Sequence, residues 1–197
     1  MTAPVIGFAG MTHLGLVSGV SASEKGFNVI CFDPDAARVA ALGRRALPIS
    51  EPQLDELVAK NAERLKFTST ATDLSACDVI YVAPDVPTDD SGRSDLGPVN
   101  ALLDSVFAAA RKDAVVILLS QVPPGFTRGW QRPGRSLYYQ VETLIFGRAV
   151  ERALCPERYI VGCADPAQPL PPAYRAFLTA HGCPILPMRY ESAELAK

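Results

Sequence analysis

Gly10-Met11-Thr12-His13-Leu14-Gly15 sets two glycines five positions apart, between a short apolar run and an amphipathic stretch. Glycine at such a strand-to-helix turn lets the backbone fold tightly and lets an anion approach the free N–H groups that open the helix. The chemistry served is the binding of a dinucleotide pyrophosphate, whose usual spacing is G-x-G-x-x-G. The first and third glycines are present, and Thr12 takes the middle place. Its β-branched side chain crowds the approach, while its hydroxyl offers a phosphate oxygen a hydrogen bond. Asp33 follows Gly15 by 18 residues, at the end of a second apolar run. A carboxylate there accepts from the adenosine ribose hydroxyls and repels a 2′-phosphate, so the pattern favours NAD over NADP. Two glycines shaping a turn and an acid capping a strand would need no ligand; the order strand, turn, helix, strand, acid favours the dinucleotide. His13 is read as offering its backbone or standing in solvent rather than exchanging protons, although a group titrating near pH 6.5 could add charge to a phosphate contact.

These residues need a frame, and short apolar runs alternating with longer amphipathic stretches supply the βα rhythm of a parallel sheet. Strands are predicted at 5–9, 28–33, 78–83, 114–119, 158–163 and 184–187. Helices are predicted at 14–25, ending on Gly26, from the cap Asp35 to 43, and at 53–65, 96–111 and 172–180. Segments 84–95 and 127–136 read as loops. The expected fold is α/β: a Rossmann-like, doubly wound, mainly parallel sheet with helices on both faces and strand order of the 3-2-1-4-5-6 kind. Residues 1–197 are read as one dinucleotide-binding domain with a less regular extension after about residue 125. Ligands belong at the carboxyl ends of the strands, where 84–95 and 120–125 gather.

Composition narrows the alternatives. The 197 residues are 48% apolar and 20% charged, enough for a packed core. Nineteen basic against 21 acidic residues give a net charge of −2, unlike the basic excess of a nucleic-acid binder. No apolar run approaches a bilayer span and no basic leader opens the chain, so neither a membrane anchor nor a signal peptide is expected. Five scattered cysteines without a C-x-x-C pair point to reduced thiols in the cytoplasm, Cys31 and Cys77 among them as packing residues. His181 and Cys183 are too few for a zinc site, and no metal is expected. Arg128, Arg132 and Arg135 with Trp130, Tyr138 and Tyr139 read as a solvated loop with packed aromatics rather than a nucleotide stack.

Further segments follow the glycine turn in a set order. They are Leu47-Pro48-Ile49-Ser50-Glu51-Pro52-Gln53-Leu54-Asp55-Glu56-Leu57, Val86-Pro87-Thr88-Asp89-Asp90-Ser91-Gly92-Arg93-Ser94-Asp95-Leu96 and Ser120-Gln121-Val122-Pro123-Pro124-Gly125. Pro156-Glu157-Arg158-Tyr159-Ile160-Val161-Gly162 and Glu191-Ser192-Ala193-Glu194-Leu195-Ala196-Lys197 complete the series. Together they resemble the N-terminal domain of the UDP-glucose/GDP-mannose dehydrogenase family, from about Pro4 to Lys197. The resemblance implies oxidation of the C6 hydroxymethyl of a nucleotide sugar, UDP-glucose first among them, to a carboxylate, with two hydrides passing to two NAD. It implies a cysteine thioester, hydrolysed by water, and a full-length homodimer.

Carried onto this chain, the resemblance places Gly10, Thr12, His13, Leu14, Gly15, Asp33 and Arg38 on the adenosine diphosphate half of the cofactor. Val86 stands where the family has Thr and lines the cofactor with Pro87 through the backbone, and Gln121 stands where the family has another Thr. Glu142, Thr143 and Leu144 meet the substrate, Glu142 being retained as a catalytic carboxylate. Phe146 replaces a second Glu expected to help hydrolyse the thioester. Lys197 matches the catalytic lysine, which also touches substrate. None of the five cysteines takes the nucleophile's place, so that residue, the central helix and a C-terminal domain are expected beyond Lys197. Thr12, Val86, Gln121 and Phe146 depart from the pattern and leave open a catalytically silent nucleotide-binding or interaction module of the same fold.

Overall fold

The computed structural model describes residues 3–87, 89–90 and 94–196. One eight-stranded sheet runs through them in the order β3-β2-β1-β4-β5-β6-β7-β8. Strands β1 (Ile6–Ala9), β2 (Val29–Phe32), β4 (Val79–Val82) and β5 (Val115–Leu118) are buried throughout and parallel to their neighbours. Their near-continuous β-branched and aromatic runs suit a sheet covered on both faces. Side chains alternate accordingly. Phe8, Cys31, Tyr81 and Ile117 enter one core with helices α1 (His13–Glu24), α3 (Leu54–Lys60), α6 (Ala149–Leu154) and α7 (Pro172–Thr179). Ala9, Phe32, Val82 and Leu118 enter the opposite core with α4 (Gly97–Ala109) and α8 (Tyr190–Leu195).

Register positions the site. Ala9 pairs with Phe32 and with Val82, and Val82 pairs with Leu118. Gly10, Asp33, Ala83 and Leu119 therefore leave the sheet side by side. Helix α1 follows at once and buries ten of its 12 residues, because Gly15, Gly19, Ser21, Ala22 and Ser23 are small enough for close packing. Asp35 caps α2 (Ala36–Gly43), its side chain accepting from the Ala37 and Arg38 N–H groups.

The sheet corrects two sequence-based expectations. The stretch predicted as helix 53–65 ends at Lys60, and Leu65 instead opens β3 (Leu65–Thr68), an edge strand. The loop predicted to run to 136 gives way to β6 (Ser136–Gln140), so Tyr138 and Tyr139 lie in a strand and Tyr139 is fully buried. Of that cluster's arginines, Arg132 lies over the rings of Phe107 on α4 and of Trp130, which ends the short α5 (Phe126–Gly129). Beyond β6 the direction reverses. β7 (Tyr159–Cys163) is antiparallel to β6, and β8 (Ile185–Arg189) is parallel to β7. Cys31, Cys77 and Cys163 are buried free thiols; Cys155 is exposed and Cys183 half-buried.

Candidate functional site

The turn after β1 is built by close approach. Gly10 has φ +96°, and a Cβ there would lie 2.8 Å from the Pro84 nitrogen. A Cβ on Gly15 would lie 1.9 Å from the Gly10 carbonyl oxygen, so only glycine lets α1 start so tightly against the strand. This cradle and the head of a 12-residue helix fit a pyrophosphate. Asp33 is buried (1% exposed) at the end of β2. Its Oδ2 accepts from the Met11 N–H at 2.7 Å and from Arg38 Nη1 at 2.8 Å, and its Oδ1 accepts from the Asp35 N–H at 2.9 Å. A carboxylate beside the glycine turn, flanked by a guanidinium, fits the adenosine ribose. Asp33 also orders the turn it serves.

Thr12, in the middle position, is the N-cap of α1 with extended dihedrals, yet its hydroxyl does not cap its own helix. Thr12 Oγ1 accepts from the Asp85 N–H at 2.8 Å, and Asp85 Oδ2 accepts from the His13 N–H at 2.8 Å. Val86 and Pro87 follow on this loop, half-buried and exposed respectively. Ser120, two residues past β5, donates to the Pro84 carbonyl at 2.5 Å and fixes the loop's base. Gln121 is exposed beside it, and Thr88 and Ser91–Arg93 lie outside the described residues.

The His13 side chain corrects the reading of a backbone-only or exposed residue, since it is 8% exposed. Its Nε2 meets Glu51 Oε1 at 2.9 Å. Glu51 also accepts from the N–H groups of Gly147 (3.0 Å) and Ala149 (3.3 Å). Burial opposes the Glu51 charge, but these hydrogen bonds prevail and hold its carboxyl below the ordinary 4.5. The cofactor turn is thereby joined to segment 142–148. Within that segment the Glu142 carboxylate accepts from the Leu144 N–H, and Thr143 and Leu144 are half-buried. The Phe146 ring is exposed and packs on the His13 ring, centroids 4.2 Å apart. Glu194 on α8 accepts from the N–H groups of Gly125 (2.6 Å) and Thr127 (2.8 Å), docking that helix on the loop after β5. Lys197 lies outside the described residues.

Glu51, Asp85 and Glu194 escaped sequence reasoning as site-shaping groups. Each is a carboxylate answering backbone N–H groups far away in sequence. The available signals were slight: an acid directly after a strand and proline for Asp85, and an acid at a helix approach for Glu51. Among the described residues no cluster of three His, Cys, Asp or Glu is placed to hold a metal, and no helix is long and apolar enough to cross a membrane.

Comparison with known proteins bears on this geometry. Residues 4–170 match the family described as "UDP-glucose/GDP-mannose dehydrogenase family, NAD binding domain". A UDP-glucose 6-dehydrogenase of Rickettsia conorii is 35% identical over 166 residues, covering 80% of this chain and 38% of the relative. One from Bacillus subtilis is 32% identical over 202 residues, covering 95% of this chain and 45% of the relative. The chain thus spans less than half the length of these relatives. Among solved structures, a UDP-glucose dehydrogenase from Pyrobaculum islandicum superposes with TM-score 0.83 at 26% identity, covering 99% of this chain and 48% of that one. A GDP-mannose dehydrogenase from Pseudomonas aeruginosa shares the fold, with TM-score 0.84 at 21% identity, 98% of this chain and 48% of that one.

Proposed function

The chain belongs to the UDP-glucose/GDP-mannose dehydrogenase family and carries its NAD-binding domain, and from that premise we propose that it serves the oxidation of a nucleotide sugar, UDP-glucose, at C6 to a carboxylate. The observation that carries this reading is the buried Asp33 carboxylate, level with the Gly10–Gly15 cradle where the strand order turns from β2-β1 to β4. In open α/β sheets ligands bind at such a switch point, outside the carboxyl ends of the strands. NAD, when bound, supplies the hydride acceptor.

The chain's own residues do the rest. Gly10 and Gly15 leave room for the pyrophosphate, and His13 and Leu14 present the head of α1 to it. Asp33 accepts from the ribose hydroxyls, with Arg38 on the adenine side. Val86, Pro87 and Gln121 line the other half of the cofactor through the loops after β4 and β5. Glu142, Thr143 and Leu144 face the sugar nucleotide, where Glu142 moves a proton and Lys197 steadies a developing oxyanion. The nucleophilic cysteine, the central helix and the second domain come from sequence outside this chain, and the whole enzyme works as a cytoplasmic homodimer. A second reading, a silent nucleotide-binding module, is favoured by one observation: Phe146 covers His13 with a ring that cannot relay a proton. The test supplies UDP-glucose and NAD together to the protein translated through its natural stop codon. NADH production that falls by about 10² or more in Lys197→Ala supports the enzyme. A folded protein that makes no NADH leaves the silent module.

A further inference from the structure

We propose that Asp85 is a built-in competitor for the cofactor's pyrophosphate, an internal anion clasped on the head of α1 that a dinucleotide must displace; the inference rests on the NAD-binding reading above. The clasp is reciprocal. Thr12 has the backbone of an N-cap, whose hydroxyl ordinarily turns back to the second or third N–H of its helix. Here the Thr12 oxygen receives the Asp85 N–H instead, and Asp85 returns a carboxylate oxygen to the His13 N–H, each bond 2.8 Å long. The cap of α1 is thus supplied in trans, by the loop after β4.

The position is contested for geometric and electrostatic reasons. A phosphate oxygen using the His13 N–H must lie within about 2.7–3.2 Å of that nitrogen, the shell that Asp85 Oδ2 occupies. The helix dipole favours one anion there, and two anions on one donor repel. The neighbouring Met11 N–H is taken by Asp33 Oδ2 at 2.7 Å, so that donor cannot stand in for the His13 N–H. Release needs little rearrangement. Pro84 is buried and held by Ser120, whereas Asp85 is exposed, so a side-chain rotation frees the donor while the loop's base stays fixed. Asp85 is therefore a specificity-determining residue: it acts on ligands that bring a phosphate to this point and is indifferent to those that do not.

The experiment compares the 197-residue protein with Asp85→Asn and Asp85→Ala, both of which keep the backbone N–H that Thr12 receives. NAD binding is followed by calorimetry and adenosine binding by ligand-observed NMR, with circular dichroism and thermal melting to establish the fold. Both variants are expected to bind NAD about tenfold more tightly, with adenosine changed by less than about twofold. NAD bound equally or more weakly by the folded variants overturns the clasp alone. NAD bound by none of the three proteins overturns the cofactor reading and the clasp with it.

Discussion

Strands β1, β2, β4 and β5 and strands β6, β7 and β8 belong to one sheet but are held by different forces. The first four are short, parallel, level and buried at every residue. What specifies them is burial and close backbone approach, seen most plainly where Gly15 meets the Gly10 carbonyl. The last three are interrupted by an antiparallel junction, and β8 has no buried residue. Buried polar groups hold that region to the rest. Gln140 Oε1 accepts from the hydroxyls of Tyr81 (2.9 Å) and Tyr174 (3.0 Å), Glu51 ties Gly147 and Ala149 to His13, and Glu194 ties α8 to the loop after β5. The difference teaches that close backbone approach shapes the cofactor turn, whereas buried hydrogen bonds join the β6–β8 region to it.

Substitutions break the two sides in different ways. Gly15→Ala should be the most damaging, since the atom it meets is backbone and cannot swing aside. A loss of about 3 kcal/mol in urea unfolding is expected, along with NAD binding. Gly43→Ala, with nothing within 4 Å of the added methyl, should cost nothing and serves as its control. On the polar side, Glu51→Ala strands three donors, and about 2–3 kcal/mol is expected from the same measurement. That contribution depends on pH in a definite sense. Because folding holds the Glu51 carboxyl below 4.5, its stabilisation is complete above that pH and is lost as pH falls through the folded value. In Glu51→Gln the acid limb of a stability–pH curve should be shallower; an unchanged limb would deny Glu51 that role. The smallest effect belongs to Arg128→Ala. Its guanidinium pairs with Glu191 and pulls that carboxyl down to about 2, but both groups face solvent, and no measurable shift in melting temperature is expected.

The same contrast explains what the sequence discloses. Strands buried on both faces write themselves as unbroken apolar runs, so Val29–Phe32 and Val79–Val82 are legible, as are the glycines and the acid that the turn requires. An edge strand such as Leu65–Thr68 carries Lys66 on an exposed face and follows a helix of similar apolar content, so its beginning reads as the helix's end. Ser136–Gln140 begins and ends on polar residues and adjoins a basic loop, which hides its strand character although Tyr139 is core. The polar links are the least visible. His13 and Glu51 are 38 residues apart, Thr12 and Asp85 are 73 apart, and no local pattern brings either pair together.

The central claim is that Asp33 and the glycine turn bind a dinucleotide with an unphosphorylated adenosine ribose. Calorimetric titration of the protein and of Asp33→Ala with NAD and NADP tests it most directly. The protein should bind NAD, with NADP weaker by about tenfold or more. Asp33→Ala should erase that preference, because it removes the repelling carboxylate and releases Arg38, now held at 2.8 Å, toward a 2′-phosphate. NADP bound as tightly as NAD by the unaltered protein, or a preference that survives in Asp33→Ala, would contradict the account.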